Sequence, residues 1–269
     1  MRNILTITIG VLSIHATATC TRDQLTAATD DLLRVQTTGK LDGAASFASP
    51  IVYTENRKTT DLAKGILSQA LTVAHNRSQY DIPQCAAFSE LIVTTAAKPY
   101  VIATQLRLDN STQKISRIDS IVTTKGDWLF NVTGTYYWAS REKWDPIPTD
   151  KRDTREAIQA AADAYCNIFN DKSIKVPWGQ PCARLEGGSY TGKGQATDRC
   201  DVGIPSGVKL INRQYVVDEM YGTVDVQMDF AGTGGFGVGG LPDSHEFRVE
   251  GGKLRYVHTL SSCGGKSCM

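Results

Sequence analysis

The sequence of 269 residues has no long basic run and no stripe of basic residues interleaved with aromatic ones. We therefore do not expect a nucleic-acid partner, because contacts to a phosphate backbone need concentrated lysine and arginine. The sequence also has no polybasic amphipathic segment, so it is not expected to lie on a membrane surface. Its net charge is +1, and 41% hydrophobic with 21% charged residues is the composition of a folded globular protein.

Several short motifs of catalysis and metal binding are also missing. No two cysteines form a C-x-x-C pair, which argues against a zinc ribbon, and the histidines form neither H-x-H nor H-x-x-x-H. No G-x-S-x-G element marks a hydrolase nucleophile. The glycine-rich segment 235–240 is followed by no helical pattern, so it indicates a loop between antiparallel strands and not a nucleotide site. We therefore expect neither a metal nor a cofactor.

Residues 1–19 have the features of a secretory signal peptide. Arg2 gives a short positive start, an apolar stretch runs over Ile4–Ile14, and Ala16–Ala18 supplies a small-residue cleavage pattern. The alternative is a short buried strand. Neither this run nor any later one is long enough to span a bilayer. We expect a soluble protein, secreted or held in the lumen of the secretory pathway.

The seven cysteines all follow this segment, and an oxidising compartment would pair most of them. We expect one bridge in each half of the chain, Cys20–Cys85 and Cys182–Cys200, although spacing alone does not fix the connectivity. Because seven is an odd number, at least one thiol is free or intermolecular. Cys268, one residue from the C-terminus, is the candidate.

Three glycosylation sequons lie in the first half of the chain. One sequon often arises by chance, but three behind a signal peptide favour glycosylation of Asn76, Asn110 and Asn131. A glycosylated asparagine must face solvent, so we expect none of these three positions in a core.

The chain contains an internal duplication. Capping patterns at Thr21–Gln24 and Asp153–Glu156 open two amphipathic helices whose first residues are alike. The strand that follows the first helix, at 51–57, resembles the segment 182–188 behind the second helix. The final strands of the two halves alternate apolar residues in the same phase, which is the period of a strand.

The duplication predicts an α+β protein of two units, each a helix or helices packed in a strongly curved antiparallel sheet. The connector 144–150 carries two prolines and divides the chain into units of residues 20–147 and 148–269. The halves differ after the first strand. The pattern over Leu62–His75 predicts a second helix in the first unit, whereas the second unit has a glycine-rich loop over Gly187–Gly207.

A hairpin at the end of the chain brings candidate catalytic residues together. With Gly251-Gly252 as its two-residue turn, His245 faces His258 on an apolar face that also holds Tyr256. The charged opposite face is expected to meet solvent. Two imidazoles beside an apolar face suit proton transfer near neutral pH. The alternatives are hydrogen-bonded histidines at the core margin, or two metal ligands without a third. Asp119 of the first unit corresponds to His258.

A second set of polar residues also recurs in both units. Glu55 and Glu186 stand at corresponding places, and Tyr53 and Arg184 stand two residues before them on the same side of each strand. These four residues would bind substrate at the polar ends of two pockets. Alternatively, they lie at solvated strand ends and pair only with their neighbours.

The order of a helix, a strand with Tyr53–Asn56 and a long meander ending in Phe247–His258 is similar to the SnoaL/ketosteroid-isomerase group of the NTF2-like superfamily. The chain also resembles secreted fungal proteins with an uncharacterised tandem domain, through Pro177–Gly188 and Leu241–His245. The resemblance implies a cone-shaped unit, in which a bent sheet wraps around helices and leaves an apolar pocket. It also implies that the two units pack as a pseudo-dimer within one chain.

The same resemblance implies a cofactor-independent isomerase, lyase or cyclase that acts on a small hydrophobic molecule, as in fungal polyketide and terpenoid pathways. Acid/base catalysis would use His258 with His245 and Tyr256 nearby, and Asp119 in the other unit. One alternative is a non-catalytic secreted protein that binds a small ligand or a host or wall component. Another is an effector-like structural protein with filled pockets. Further homo-oligomerisation stays open.

Overall fold

The computed structural model describes residues 20–42, 44–232 and 240–264 of the chain. The predicted signal peptide 1–19 and Cys268 therefore lie outside the described residues. The described chain is an α+β protein of two similar units with one six-stranded sheet each, which confirms the duplication. In the described ranges, none of the helices has the length and apolar character needed to cross a membrane.

The first unit contains one long helix and one sheet. Its elements are α1 (Arg22–Thr38), β1 (Phe47–Glu55), β2 (Lys58–Thr59), the 3₁₀ turn Ile66–Ser68, β3 (His75–Asp81), β4 (Ala86–Val93), β5 (Tyr100–Leu108) and β6 (Ile115–Thr123). The strands are ordered β2-β1-β6-β5-β4-β3. Strands β1 and β6 are parallel and the other pairs are antiparallel, so the sheet is mixed and not purely antiparallel as predicted.

The second unit repeats this topology strand for strand. Along the chain, α2 (Val132–Ala139) and the 3₁₀ turn Thr149–Lys151 come between the strands of the first sheet and those of the second. The elements that follow are α3 (Arg155–Ile168), β7 (Trp178–Glu186), β8 (Ser189–Tyr190), β9 (Val208–Asp218), β10 (Thr223–Gly232), β11 (Leu241–Glu250) and β12 (Lys253–Ser261). The order is β8-β7-β12-β11-β10-β9, again with one parallel pair, β7 and β12.

Local sequence explains the two long helices. Thr21 caps α1 in a capping box with Gln24, and the helix ends at Gly39, whose φ of 64° suits glycine. The side chain of Thr154 accepts the N–H of Ala157 at the start of α3. The predicted apolar faces are buried against the sheets; they are Leu25, Ala28, Leu32 and Val35 in α1, and Ile158, Ala161, Ala162 and Tyr165 in α3.

The helix predicted over Leu62–His75 is wrong. The 3₁₀ turn Ile66–Ser68 forms there, and His75 already begins β3. The backbone N–H of Ile66 donates to the Glu55 carboxylate, and Leu67 joins the core beside α1. Of the predicted helical face only Ile66 is buried, and a turn buries it, because tertiary contacts outweigh local periodicity.

The two sheets pack face to face, with β3 near β9 and β6 near β12. Two reciprocal ion pairs join the units. Arg22 at the start of α1 binds Asp218 at the end of β9, and Arg155 at the start of α3 binds Asp81 at the end of β3. Each aspartate also accepts a backbone N–H from a strand of the other unit. The units therefore exchange equivalent contacts.

The two predicted disulfides, Cys20–Cys85 and Cys182–Cys200, are both present, as expected for a protein of an oxidising compartment. The free thiol predicted at Cys268 lies outside the described residues and stays a prediction. Cys263 is disulfide-bonded, and the free cysteine of the described chain is Cys166, which is buried in α3. Burial raises the pKa of its thiol to about 12, so Cys166 is chemically inert and serves the core.

Candidate functional site

The predicted pairing of His245 with His258 is wrong by one residue. The hairpin begins as expected, with Val249 opposite Leu254, but a bulge between Arg248 and Val249 shifts the register. His245 then pairs with Thr259, and Glu246 pairs with His258. Because side chains alternate along a strand, the shift turns the two histidines to opposite faces of the sheet.

The inward face carries a row of three polar residues on neighbouring strands. Glu186 on β7 pairs with Thr259 on β12, which pairs with His245 on β11. Adjacent strands lie about 4.8 Å apart, so the Cα atoms of the glutamate and the histidine, two strands apart, are separated by about 10 Å across the sheet. Both predicted site residues of this row, Glu186 and His245, therefore face one interior.

A cavity lies over this row. Its polar lining is Glu186, His245, Thr259 and Ser261, and its apolar walls are Trp128, Phe169, Pro205, Phe230 and Leu241. The cavity has a volume of about 60 Å³, which holds a few waters or one end of a small molecule. An apolar chamber with a few converging polar groups is typical of small-molecule sites.

His245 is held in one orientation by a buried carboxylate. Its Nδ1 lies 2.5 Å from Oδ1 of Asp243, whose other oxygen accepts a hydrogen bond from the Ser261 hydroxyl. Rings of Tyr165 and Phe247 pack against the imidazole. A carboxylate at Nδ1 favours the tautomer with its proton there, which leaves Nε2 as a base. Nε2 makes no hydrogen bond within the described residues.

Arg184, another predicted binding residue, lies buried behind Glu186. Its Nε is 3.5 Å from Oε1 of Glu186, and one guanidinium nitrogen is 3.5 Å from the Tyr165 hydroxyl. Burial raises the pKa of Tyr165 well above its ordinary value, so its hydroxyl stays neutral. The hydroxyl of Thr259 is buried without a partner in the described chain, which leaves it available to a ligand oxygen.

The equivalent interior of the first unit is filled. Glu55 accepts hydrogen bonds from the Tyr53 hydroxyl and from the backbone N–H of Ile66 in the 3₁₀ turn. Burial raises the pKa of Tyr53 far above its ordinary range, the hydrogen-bonded Glu55 carboxylate adding to the effect. The two predicted substrate-binding residues Tyr53 and Glu55 therefore bind each other and the turn.

The remaining predicted catalytic residues lie on the face between the sheets. Nδ1 of His258 is 2.9 Å from Glu90, and its Nε2 is 2.7 Å from Glu142. Although burial alone would lower the pKa of His258, these two carboxylates raise it to about 10. His258 is thus a buried imidazolium with both nitrogens bonded. The face that was predicted to meet solvent is exposed only near the turn, at Glu250 and Lys253, whereas Glu246 is buried against Arg77 of the other unit.

Asp119 and Tyr256 share this face with His258. Asp119 accepts a hydrogen bond from Thr54 at 2.6 Å and pairs with Arg117 at 2.6 Å. Tyr256 stacks on Trp144, and burial raises the pKa of its hydroxyl. The registers confirm the correspondence of the two units, because Asp119 and His258 pair with the residues just before the two equivalent glutamates.

One group of described residues has the spacing of a metal site. Ligand atoms of Glu90, Glu246 and His258 lie within 4.8 Å of one another. Arg77 donates to both glutamates. Burial by itself would raise the pKa of Glu90, but the positive charges of His258 and Arg77 lower it to about 2. The positive charge that the two carboxylates require is therefore already supplied by the chain.

All three predicted glycosylation acceptors, Asn76, Asn110 and Asn131, are exposed. The side chain of Asn131 also accepts the N–H of Gly134 at 3.1 Å and so caps α2. The exposure is what an attached glycan requires, and glycosylation itself stays a prediction.

Sequence reasoning missed Asp243, Ser261 and Thr259. Asp243 stands two residues before His245, so alternation places it on the same side of β11. That spacing was a usable signal. Thr259 and Ser261 required knowledge of the bulge, because without it they are assigned to the outer face.

Residues 151–261, which run from just before α3 to the end of β12, match the sequence model of a family described as a domain of unknown function (DUF8021). The match covers the unit that holds the cavity. A comparison with curated proteins found no match.

Proposed function

We propose that the second unit is an NTF2-like cone whose cavity binds a small hydrophobic molecule and performs cofactor-independent acid/base chemistry of the isomerase, lyase or cyclase type. The observation that carries the proposal is the Asp243–His245 pair facing an apolar chamber beside Glu186. His245 takes the role that the sequence assigned to His258, since both nitrogens of His258 are bonded outside the cavity.

The proposed chemistry begins at Nε2 of His245. This nitrogen removes a proton from a substrate carbon that a neighbouring carbonyl makes acidic, and Asp243 stabilises the imidazolium that forms. The Thr259 hydroxyl donates to the carbonyl oxygen as negative charge develops there. The imidazolium then returns the proton, either to a second carbon in an isomerisation or to a departing hydroxyl in a dehydration.

The test compares metabolite profiles of the organism that carries the gene after deletion and after His245→Asn replacement. We expect both to accumulate the same precursor, because loss of a general base slows a reaction by about 10²–10⁴-fold. Thr104→Val is the matched control, because Thr104 occupies in the first sheet the position of His245 in the second. This control is expected to preserve the wild-type profile.

Two results would overturn the proposal. If deletion changes the profile and His245→Asn does not, the base is elsewhere. If purified protein binds a compound from the extract and returns it unchanged, and deletion accumulates no precursor, the protein is a secreted binder. Thermal unfolding of each variant confirms that the fold is retained.

A further inference from the structure

A second concave region lies on the other face of β12, away from the cavity. It is open to solvent, has a volume of about 510 Å³, and lies between the end of α2, strand β8 and the loop 194–198. We name it the α2–β12 groove. The residues that carry the argument are Trp138, Arg141, Lys143, Tyr190, Arg255 and Tyr256.

The groove has an excess of positive charge. Arg141, Lys143 and Arg255 line it, and none of them lies within ion-pair distance of a carboxylate in the described chain. Two carboxylates, Glu142 and Asp198, also line the groove. Three cations thus face two acids.

Both acids are already committed to groups of the protein. Glu142 accepts hydrogen bonds from Tyr190 at 3.0 Å and Trp144 at 3.0 Å, and it binds the His258 imidazolium at 2.7 Å. Asp198 accepts three backbone N–H groups of its own loop, at 2.8, 2.8 and 3.0 Å. Because His258 offsets the charge of Glu142, only the charge of Asp198 is set against the three cations, and the groove keeps a positive field for an anion.

Aromatic rings hold the groove in shape. Trp138 and Tyr190 stack with their centroids 3.9 Å apart and their planes 7° from parallel. The guanidinium of Arg255 lies 4.0 Å above the ring of Tyr256. A guanidinium positioned on a ring loses less conformational freedom when it binds an anion. The groove therefore combines preorganised cations with apolar ring surface.

We propose that the α2–β12 groove is a second binding site, separate from the cavity, for an organic anion carried on a flat ring. Arg255 and Lys143 bind the anionic group, and Trp138 with Tyr190 contacts the ring. Either a carboxylate or a phosphate supplies the chemistry that these cations recognise.

The test uses three probes with the same ring and different head groups: 1-naphthoate, 1-naphthyl phosphate and the neutral 1-naphthalenemethanol. Titration calorimetry with the mature protein at low salt is expected to show an anionic probe binding more tightly than the alcohol by about tenfold, the equivalent of one charge-assisted hydrogen bond. The tighter of the two anions identifies the head group. Acetate and inorganic phosphate, which lack the ring, are expected to bind more weakly than either.

The site is located with the double variant Lys143→Gln/Arg255→Gln, which is expected to weaken the preferred anion by about tenfold or more. The control Lys40→Gln/Lys64→Gln removes the same charge from exposed positions of the first unit and is expected to change nothing. Because Arg255 packs on Tyr256, the single variant Lys143→Glu serves as a second test that leaves that contact intact.

Four outcomes would overturn the proposal: no binding of either anionic probe, equal binding of the alcohol, equal binding of the ringless anions, or equal weakening by the control variant. Weakening confined to the groove variants, with salt reducing the affinity, supports it.

Discussion

The two units hold different kinds of interior at the same strand positions. In the second sheet Asp243 pairs with Ser261, and in the first sheet Ile102 pairs with Val122 at the equivalent place. At this place the first interior is a packed apolar cluster beside the 3₁₀ turn, whereas the second holds a carboxylate and a hydroxyl next to a cavity. One backbone topology thus supports a packed core in one copy and a candidate site in the other.

The faces that the two sheets turn toward each other differ as well. His258 of the second unit is a cation between two glutamates, while Asp119 at the equivalent position is an anion paired with Arg117. A duplicated position has therefore acquired opposite charge in the two copies. The following predictions, from the largest expected effect to the smallest, test how far the copies have diverged.

The largest effect concerns His258 and pH. Its pKa is raised from 6.5 to about 10, so its stabilising contribution is complete below pH 6.5 and is lost as the pH rises toward 10. At about 1.4 kcal/mol per pKa unit, this contribution reaches about 5 kcal/mol. We expect the free energy of unfolding of the wild type, measured with urea, to fall over this range.

His258→Gln is expected to remove that fall, and Asp119→Asn at the equivalent position is expected to retain it. Parallel pH profiles for the wild type and His258→Gln would show that the imidazolium is not the source.

The second effect tests the closed interior. Ile102→Asp places in the first unit the residue that the second unit has at this position. Without a histidine to pair with, the buried carboxylate is expected to destabilise the protein by about 3–5 kcal/mol in chemical denaturation. The reciprocal Asp243→Ile removes hydrogen-bond partners of His245 and Ser261 and is expected to lower stability by about 1–3 kcal/mol. A smaller loss for Ile102→Asp than for Asp243→Ile would contradict the contrast between the interiors.

The smallest effect tests what the copies still share. Arg22→Gln and Arg155→Gln each break one of the two reciprocal ion pairs, and each is expected to reduce stability by about 1.5–3 kcal/mol. The double loss should depart from the sum by about 0.5 kcal/mol or more, since each aspartate bonds the residue next to the other and the two pairs are neighbours. Unequal single losses would show that the two contacts are not equivalent, and a double loss equal to the sum would show that they are not coupled.

Features set by short stretches of sequence were predictable. The capping residues Thr21 and Thr154 and the apolar faces behind them fixed both long helices. The four disulfide cysteines were also paired correctly, one bridge in each unit.

Features set by contacts between distant segments were not predictable. The bulge beside Arg248 has no glycine to mark it, and it alone separates the two histidines. Glu246 was assigned to solvent because it is charged, yet it is buried against Arg77 of the other unit. The helical periodicity near Ile66 was genuine, but the Glu55 carboxylate bonds the backbone there instead.

The face-to-face packing of the sheets has a consequence for the order of synthesis. Asp81 accepts a hydrogen bond from the backbone N–H of Val217, which lies 136 positions later in the chain. At 5–20 residues per second, Asp81 is synthesised about 7–27 s before Val217. Throughout that interval Asp81, Glu90 and Arg77 are solvated ions on an open sheet and not partners in an interior. Charged residues on this face therefore keep the first unit hydrated and disfavour its association with other nascent chains until the second unit has been synthesised.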